Sequence, residues 1–162
     1  MAIRTRSATL LDVARRDVEE VQRQFECPDD DWPPVLLMRT GSGRSLCGLV
    51  IMGDDLDATV EGLRLILASF GAVEAALVTS AWVVFDPAAR GIDDDVRASE
   101  HSSRRECVVI SYVDAERARM EVADIHRSVD KPPTLGVFRS AEGFHVRCRL
   151  IDAMRRGISE PR

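Results

Sequence analysis

Glu100, His101, Arg104, Arg105 and Glu106 place five ionisable side chains within seven residues, directly before the apolar run Cys107-Val108-Val109-Ile110-Ser111-Tyr112-Val113. These residue types can do acid–base chemistry. An imidazole titrates near neutral pH, and a neighbouring carboxylate, Glu100 or Glu106, can orient His101. Two guanidinium groups can hold a carboxylate or phosphate through paired N–H donors. Together they are parts of a hydrolase or transferase site for a small anionic ligand. A nucleophile is missing from the pattern. Ser99, Ser102 and Ser103 lie in the segment, but no Gly-x-Ser-x-Gly elbow surrounds them. The structural alternative makes Arg104, Arg105 and Glu106 an ion-pair network at a strand edge, tying the preceding loop to the body or to another subunit. It is the favoured reading. In it Arg105, entering a buried strand, must be paired, and its loss should destabilise the protein.

Other residues with chemical potential carry less. Cys27, Cys47, Cys107 and Cys148 form no Cys-x-x-Cys pair and have no zinc-ligand spacing, so no metal site and no cofactor is expected. They read as reduced, buried structural thiols, with Cys47 and Cys107 inside apolar runs. His126 and His145 are scattered and read as surface or half-buried. Asp54, Asp55 and Asp57 lack the ligand alternation, glycine and terminal glutamate of a calcium loop and read as helix-capping acids. Gly41-Ser42-Gly43 lies between two strand-like runs rather than before a helix, so it reads as a hairpin turn and not a phosphate cradle.

The elements that position these residues follow from periodicity. Leu11, Ala14, Val18, Val21 and Phe25 recur at helical spacing and predict a helix over 7–27. Pro28 to Pro34 break it, and Trp32 is expected to cover an edge of the core. Residues 35–40 and 45–52 predict a β-hairpin. Val60, Leu63, Ile66, Leu67 and Phe70, with Gly71 as C-terminal cap, predict a second helix over 57–70. Ala75 to Phe85 and Cys107 to Val113 are apolar on both alternating faces, as central strands covered on both sides would be. The polar stretch 86–104 between them is long for a structureless connection. Residues 114–117 read as a tight turn and 118–122 as a half-exposed strand. Pro132-Pro133 should interrupt, with a short edge strand over 135–138. Residues 140–157 fit either a strand or a helix, and Ser140 as a cap favours the helix.

The strand Thr79-Ser80-Ala81-Trp82, followed by Ser99-Glu100-His101-Ser102-Ser103-Arg104-Arg105-Glu106 and an apolar strand, resembles a group of uncharacterised bacterial and phage-associated proteins. The resemblance spans about residues 75–113. It implies no activity and no cofactor, only that Trp82 and the 99–106 segment form one structural unit. The candidate ligand or interaction site is therefore Trp82, Glu100, His101, Arg104, Arg105 and Glu106.

The chain has 162 residues with 45% hydrophobic and 30% charged residues, which suits one soluble domain. The order of elements predicts a single α+β domain, with a mainly antiparallel sheet of four to six strands and two or three helices. The longest apolar stretch is about half a membrane span, and no signal core follows the N-terminus; a cytoplasmic protein without membrane contact is expected. A net charge of −5 speaks against a nucleic-acid partner. Lys131 is the sole lysine among 22 basic residues, which is expected to reflect codon bias in a GC-rich bacterial genome rather than selection for arginine's bidentate geometry. Charge is uneven: residues 139–162 carry six arginines against three acids. A basic end on an acidic body suits self-association. The expectation is a binding or interaction module that forms a homodimer, with a further protein partner or small anionic ligand as an open option. A small hydrolase or transferase at the 100–106 cluster is the runner-up.

Overall fold

The two runs that are apolar on both faces pair with one another at the centre of an antiparallel sheet. The computed structural model describes residues 8–84, 102–141 and 149–159. Its elements are α1 (Leu10–Arg23), β1 (Val35–Thr40), β2 (Ser45–Leu49), α2 (Leu56–Phe70), β3 (Ala72–Val84), β4 (Arg104–Asp114), β5 (Ala118–Ser128), β6 (Lys131–Leu135), β7 (Arg139–Ser140) and α3 (Arg149–Ser159). The sheet runs β2-β1-β3-β4-β5-β6, with β7 also pairing with β5. β3 and β4 align from Glu74 opposite Asp114 to Val84 opposite Arg104.

Side chains alternate across a strand, so each face of β3 and β4 needs its own cover. On one face α1 packs Leu10, Leu11, Ala14 and Val18, with Trp32, against Leu37, Ala76, Val78, Val108 and Ile110. On the other, α2 and α3 cover Leu36, Met38, Ala75, Leu77 and Val113. The fold is α+β, with helices on both faces of the sheet. Among the described residues no helix is long and apolar enough to cross a membrane.

Local signals set most boundaries. Thr9 caps α1 in a reciprocal capping box with Asp12. Asp55 caps α2 by accepting from the Ala58 N–H, and Gly71 ends it in the left-handed conformation at φ 58°. α1 stops at Arg23, four residues before the expected end. The Asp30 carboxylate takes the N–H groups of Glu26 and Cys27, both at 2.7 Å, and turns the chain. Trp32 is buried as expected; its indole N–H donates to the Val18 carbonyl at 2.9 Å, and Phe25 meets its ring edge-on.

Four expectations need correction. Among the described residues the sheet has seven strands, one more than the upper end of the expected four to six. Pro132 and Pro133 lie inside β6 instead of interrupting it. A sheet edge tolerates residues that cannot donate to a ladder, and among the described residues β6 pairs only along β5. β5 runs on to Ser128, well past Val122, because β6 and β7 together supply its second partner. The second hairpin strand ends at Leu49 rather than Met52. At the C-terminus, α3 settles the helix-or-strand alternative for residues 149–159 in favour of the helix. The 86–101 connection lies outside the described residues, as do Phe85, His145 and Cys148.

Candidate functional site

Strand β4 distributes the charged segment over two faces of the sheet. Trp82 stands opposite Glu106, Val83 opposite Arg105 and Val84 opposite Arg104. Arg104, Glu106 and Trp82 therefore share the α1 face, and Arg105 points to the face of α2 and α3. The two arginines do not form a joint clamp for one anion. Glu100 and His101 lie outside the described residues.

On the α1 face each charged member has a partner. The Arg104 guanidinium lies over the Trp82 ring, 5.1 Å from its centre, a cation–π contact. Glu106 receives a two-pronged hydrogen bond from Arg127, with Nε to Oε2 at 2.8 Å and Nη2 to Oε1 at 2.7 Å. Arg127 also meets Asp31 at 3.3 Å and donates to the Asp30 carbonyl at 3.0 Å. The Glu106 carboxylate pushes the Arg127 guanidinium above its ordinary range, outweighing partial burial; Asp31 adds to the effect. Ser80 donates to the Asp31 carboxylate at 2.9 Å. This network fastens the Pro-rich segment after α1 to the ends of β4 and β5.

On the opposite face Asp124 collects the charge. Arg105 reaches it at 3.2 Å and Arg139 at 3.1 Å, and the Cys107 thiol donates to it at 3.4 Å. Burial, with Asp124 beside it, pushes the Cys107 thiol up to about 12. It stays a thiol at neutral pH. The Arg105 side chain is 52% exposed. The expectation that it enters the core is corrected: β4 becomes buried only from Cys107 onward.

The cysteines divide. Cys107 is buried as expected, whereas Cys27 and Cys47 are exposed, and all three are unpaired. Cys47 sits opposite Leu37 on the outermost strand, one strand beyond the residues that α1 covers. Among the described residues no group of three or more His, Cys, Asp or Glu could hold a metal ion.

Two buried carboxylates do structural work that their sequence positions did not announce. Glu74 accepts from the Leu10 N–H at 2.8 Å, from Arg39 at 2.6 Å and from the Tyr112 hydroxyl at 3.1 Å. Glu121 receives Nε and Nη2 of Arg15. Both fix α1 on the sheet. Burial and the neighbouring Asp114 and Glu74 carboxylates hold the Tyr112 hydroxyl protonated, so it remains a donor.

A different kind of surface lies at the other end of the sheet. An apolar groove of about 640 Å³ runs between the β1–β2 hairpin and α2, lined by Leu36, Met38, Gly48, Ala58, Gly62 and Ile66 among others. A Cβ on Gly48 or Gly62 would meet nothing within 4 Å, and neither glycine has positive φ. Beside the groove Leu49 is 76% and Ile51 92% exposed. The apolar run 49–52 reads in the sequence as part of a hairpin strand; Leu49 and Ile51 stand exposed at the sheet's end, while Val50 packs against the core. Basic α3 packs on α2, where Arg149 pairs with Asp57. The charge asymmetry is thus met in part within the chain.

Comparison of the chain with protein-family models, with curated proteins and with solved structures yields no match.

Proposed function

We propose that the protein is a binding and interaction module that associates with itself through the side formed by the β1–β2 hairpin and α2. The observation that carries this reading is the cluster of exposed apolar side chains there: Leu49, Ile51, Leu56 and Ile66 around an apolar groove. Contiguous apolar surface of this kind marks a site of association. A second copy of the chain is the occupant, so the contact is a two-fold one. The pairing of Arg104, Arg105 and Glu106 with Trp82, Asp124 and Arg127 supports the same reading, since a ligand site would hold these groups open to its anion. A hydrolase or transferase built on Glu100, His101, Arg104 and Arg105 draws less support, because the two arginines face opposite sides of the sheet. Light scattering at micromolar concentration tests the proposal. The expected mass is twice the 18.0 kDa of one chain. A mass of 18.0 kDa that does not rise on concentration overturns it.

A further inference from the structure

The two edges of the sheet are built differently. β6 carries Lys131, Pro132 and Pro133, residues that discourage a further strand. β2 carries none of these, and from Ser45 to Gly53 the chain has no charged residue and no proline. Among the described residues nothing pairs with β2 except β1. The hydrogen bonds from the Thr40 N–H to the Arg44 carbonyl and from the Val50 N–H to the Pro34 carbonyl, both 2.9 Å, show which backbone groups β1 uses. In an antiparallel ladder these alternate. The backbone groups of residues 44, 46, 48 and 50 thus face β1, and the N–H and C=O groups of Ser45, Cys47 and Leu49 point away from the sheet.

We infer that two copies of the chain join their edge segments 45–53 antiparallel across a two-fold axis at Leu49, the last residue of β2, each β2 pairing with residues 49–53 of the partner subunit, which extend the strand in the contact, making one continuous sheet. The inference rests on the self-association proposed above and names its contact. The ends of the strand supply the orientation. Arg44 precedes the uncharged stretch, and Asp54 follows it. Both are exposed, and neither makes an ion pair among the described residues. With Leu49 opposite Leu49 of the partner subunit, Arg44 of each copy stands opposite Asp54 of the partner subunit. A parallel arrangement would instead set like charges side by side. Outward-facing Leu49 backbone groups then find partners, and the exposed Leu49 and Ile51 side chains lose contact with water. The contact is isologous and closes at two copies.

Four variants test this by light scattering and sedimentation, with circular dichroism melts to confirm folding. Leu49→Lys puts a charge on the edge without touching the bonds to β1; it should be monomeric at concentrations where the wild type is dimeric. Val129→Lys, at a position 89% exposed beside the other edge, should remain dimeric. Arg44→Asp should raise the dimer dissociation constant tenfold or more, and Arg44→Asp/Asp54→Arg should restore most of that loss. A wild type that is monomeric overturns both this inference and the self-association it rests on. A dimeric wild type whose Leu49→Lys variant is folded and still dimeric overturns the β2 contact alone, as does a Val129→Lys variant that dissociates equally. Masses above two chains overturn the two-fold closure. An Arg44→Asp variant of unchanged affinity, or one that Asp54→Arg fails to rescue, overturns the antiparallel register.

Discussion

Neighbours along β4 are separated by the thickness of the sheet. Arg104 and Glu106 meet Trp82 and Arg127, while Arg105 shares Asp124 with Arg139 on the other side. The density of charge in 100–106 was legible in the sequence, as was the expectation of ion pairs at Arg105 and Glu106. The partners were not, because Arg127 reaches Glu106 and Asp31 only through the register of β5 and the turn after α1. Energetics follow exposure. The Glu106 and Arg127 side chains are 22% and 32% exposed, so their two-pronged pair is partly shielded from water. Glu106→Gln and Arg127→Met should each cost about 1–2 kcal/mol, with a coupling of about 1 kcal/mol in the double-mutant cycle. Urea unfolding measures it, and additive single effects would count against the network. Arg105→Ala, at an exposed pair, should cost no more than about 1 kcal/mol.

Elements whose ends are set by adjacent residues were readable, and those set by distant strands were not. α2 lies within a residue of its expected bounds because Asp55 and Gly71 cap it locally. β6 contradicts its own prolines because it occupies an edge, a property of sheet order rather than of residues 131–135. The glycines separate the same two kinds of cause. A Cβ on Gly157 would come within 2.7 Å of the Arg64 carbonyl and 2.9 Å of the Leu67 Cβ, so this glycine lets α3 approach α2. Gly157→Ala should cost about 1–3 kcal/mol by forcing the helices apart. Gly62, inside α2 with open space around its Cα, makes no such contact. Gly62→Ala should stabilise by about 0.5–1 kcal/mol through helix propensity. Denaturant midpoints of the two variants should therefore move in opposite directions; a loss of stability in Gly62→Ala would show that the groove side of α2 is already occupied.

For the whole molecule, acid is the condition that should loosen the structure. Hydrogen bonds from Thr9 hold the Asp12 carboxyl below its usual range, and the N–H groups of Cys27 and Glu26 do the same for Asp30. At Asp114 burial alone would raise the value. The N–H of Glu116, the Tyr112 hydroxyl and the N–H of Arg117 outweigh it and lower it. A carboxyl lowered in the folded state contributes its stability above the unfolded value of about 3.9 and loses it as pH falls through the folded value. The melting temperature should be nearly level from about pH 5 to 8 and drop below about pH 4. Asp114→Asn should lessen that drop, and an identical acid profile for the variant would show that Asp114 does not contribute.

Periodicity and caps, which act over a few residues, determined from the sequence alone that this chain is an antiparallel α+β protein, with β3 and β4 at its centre and α2 between Asp55 and Gly71. They also marked 104–106 as a charged strand entrance. Tertiary structure alone decided which face each of those charges takes, that Glu74 and Glu121 anchor α1, and that Cys47, Leu49 and Ile51 stand at an open edge instead of in the core. An apolar strand residue is written the same way whether its neighbour in the sheet is another strand or water. Sheet order makes that choice, and it depends on pairings between residues far apart in the chain.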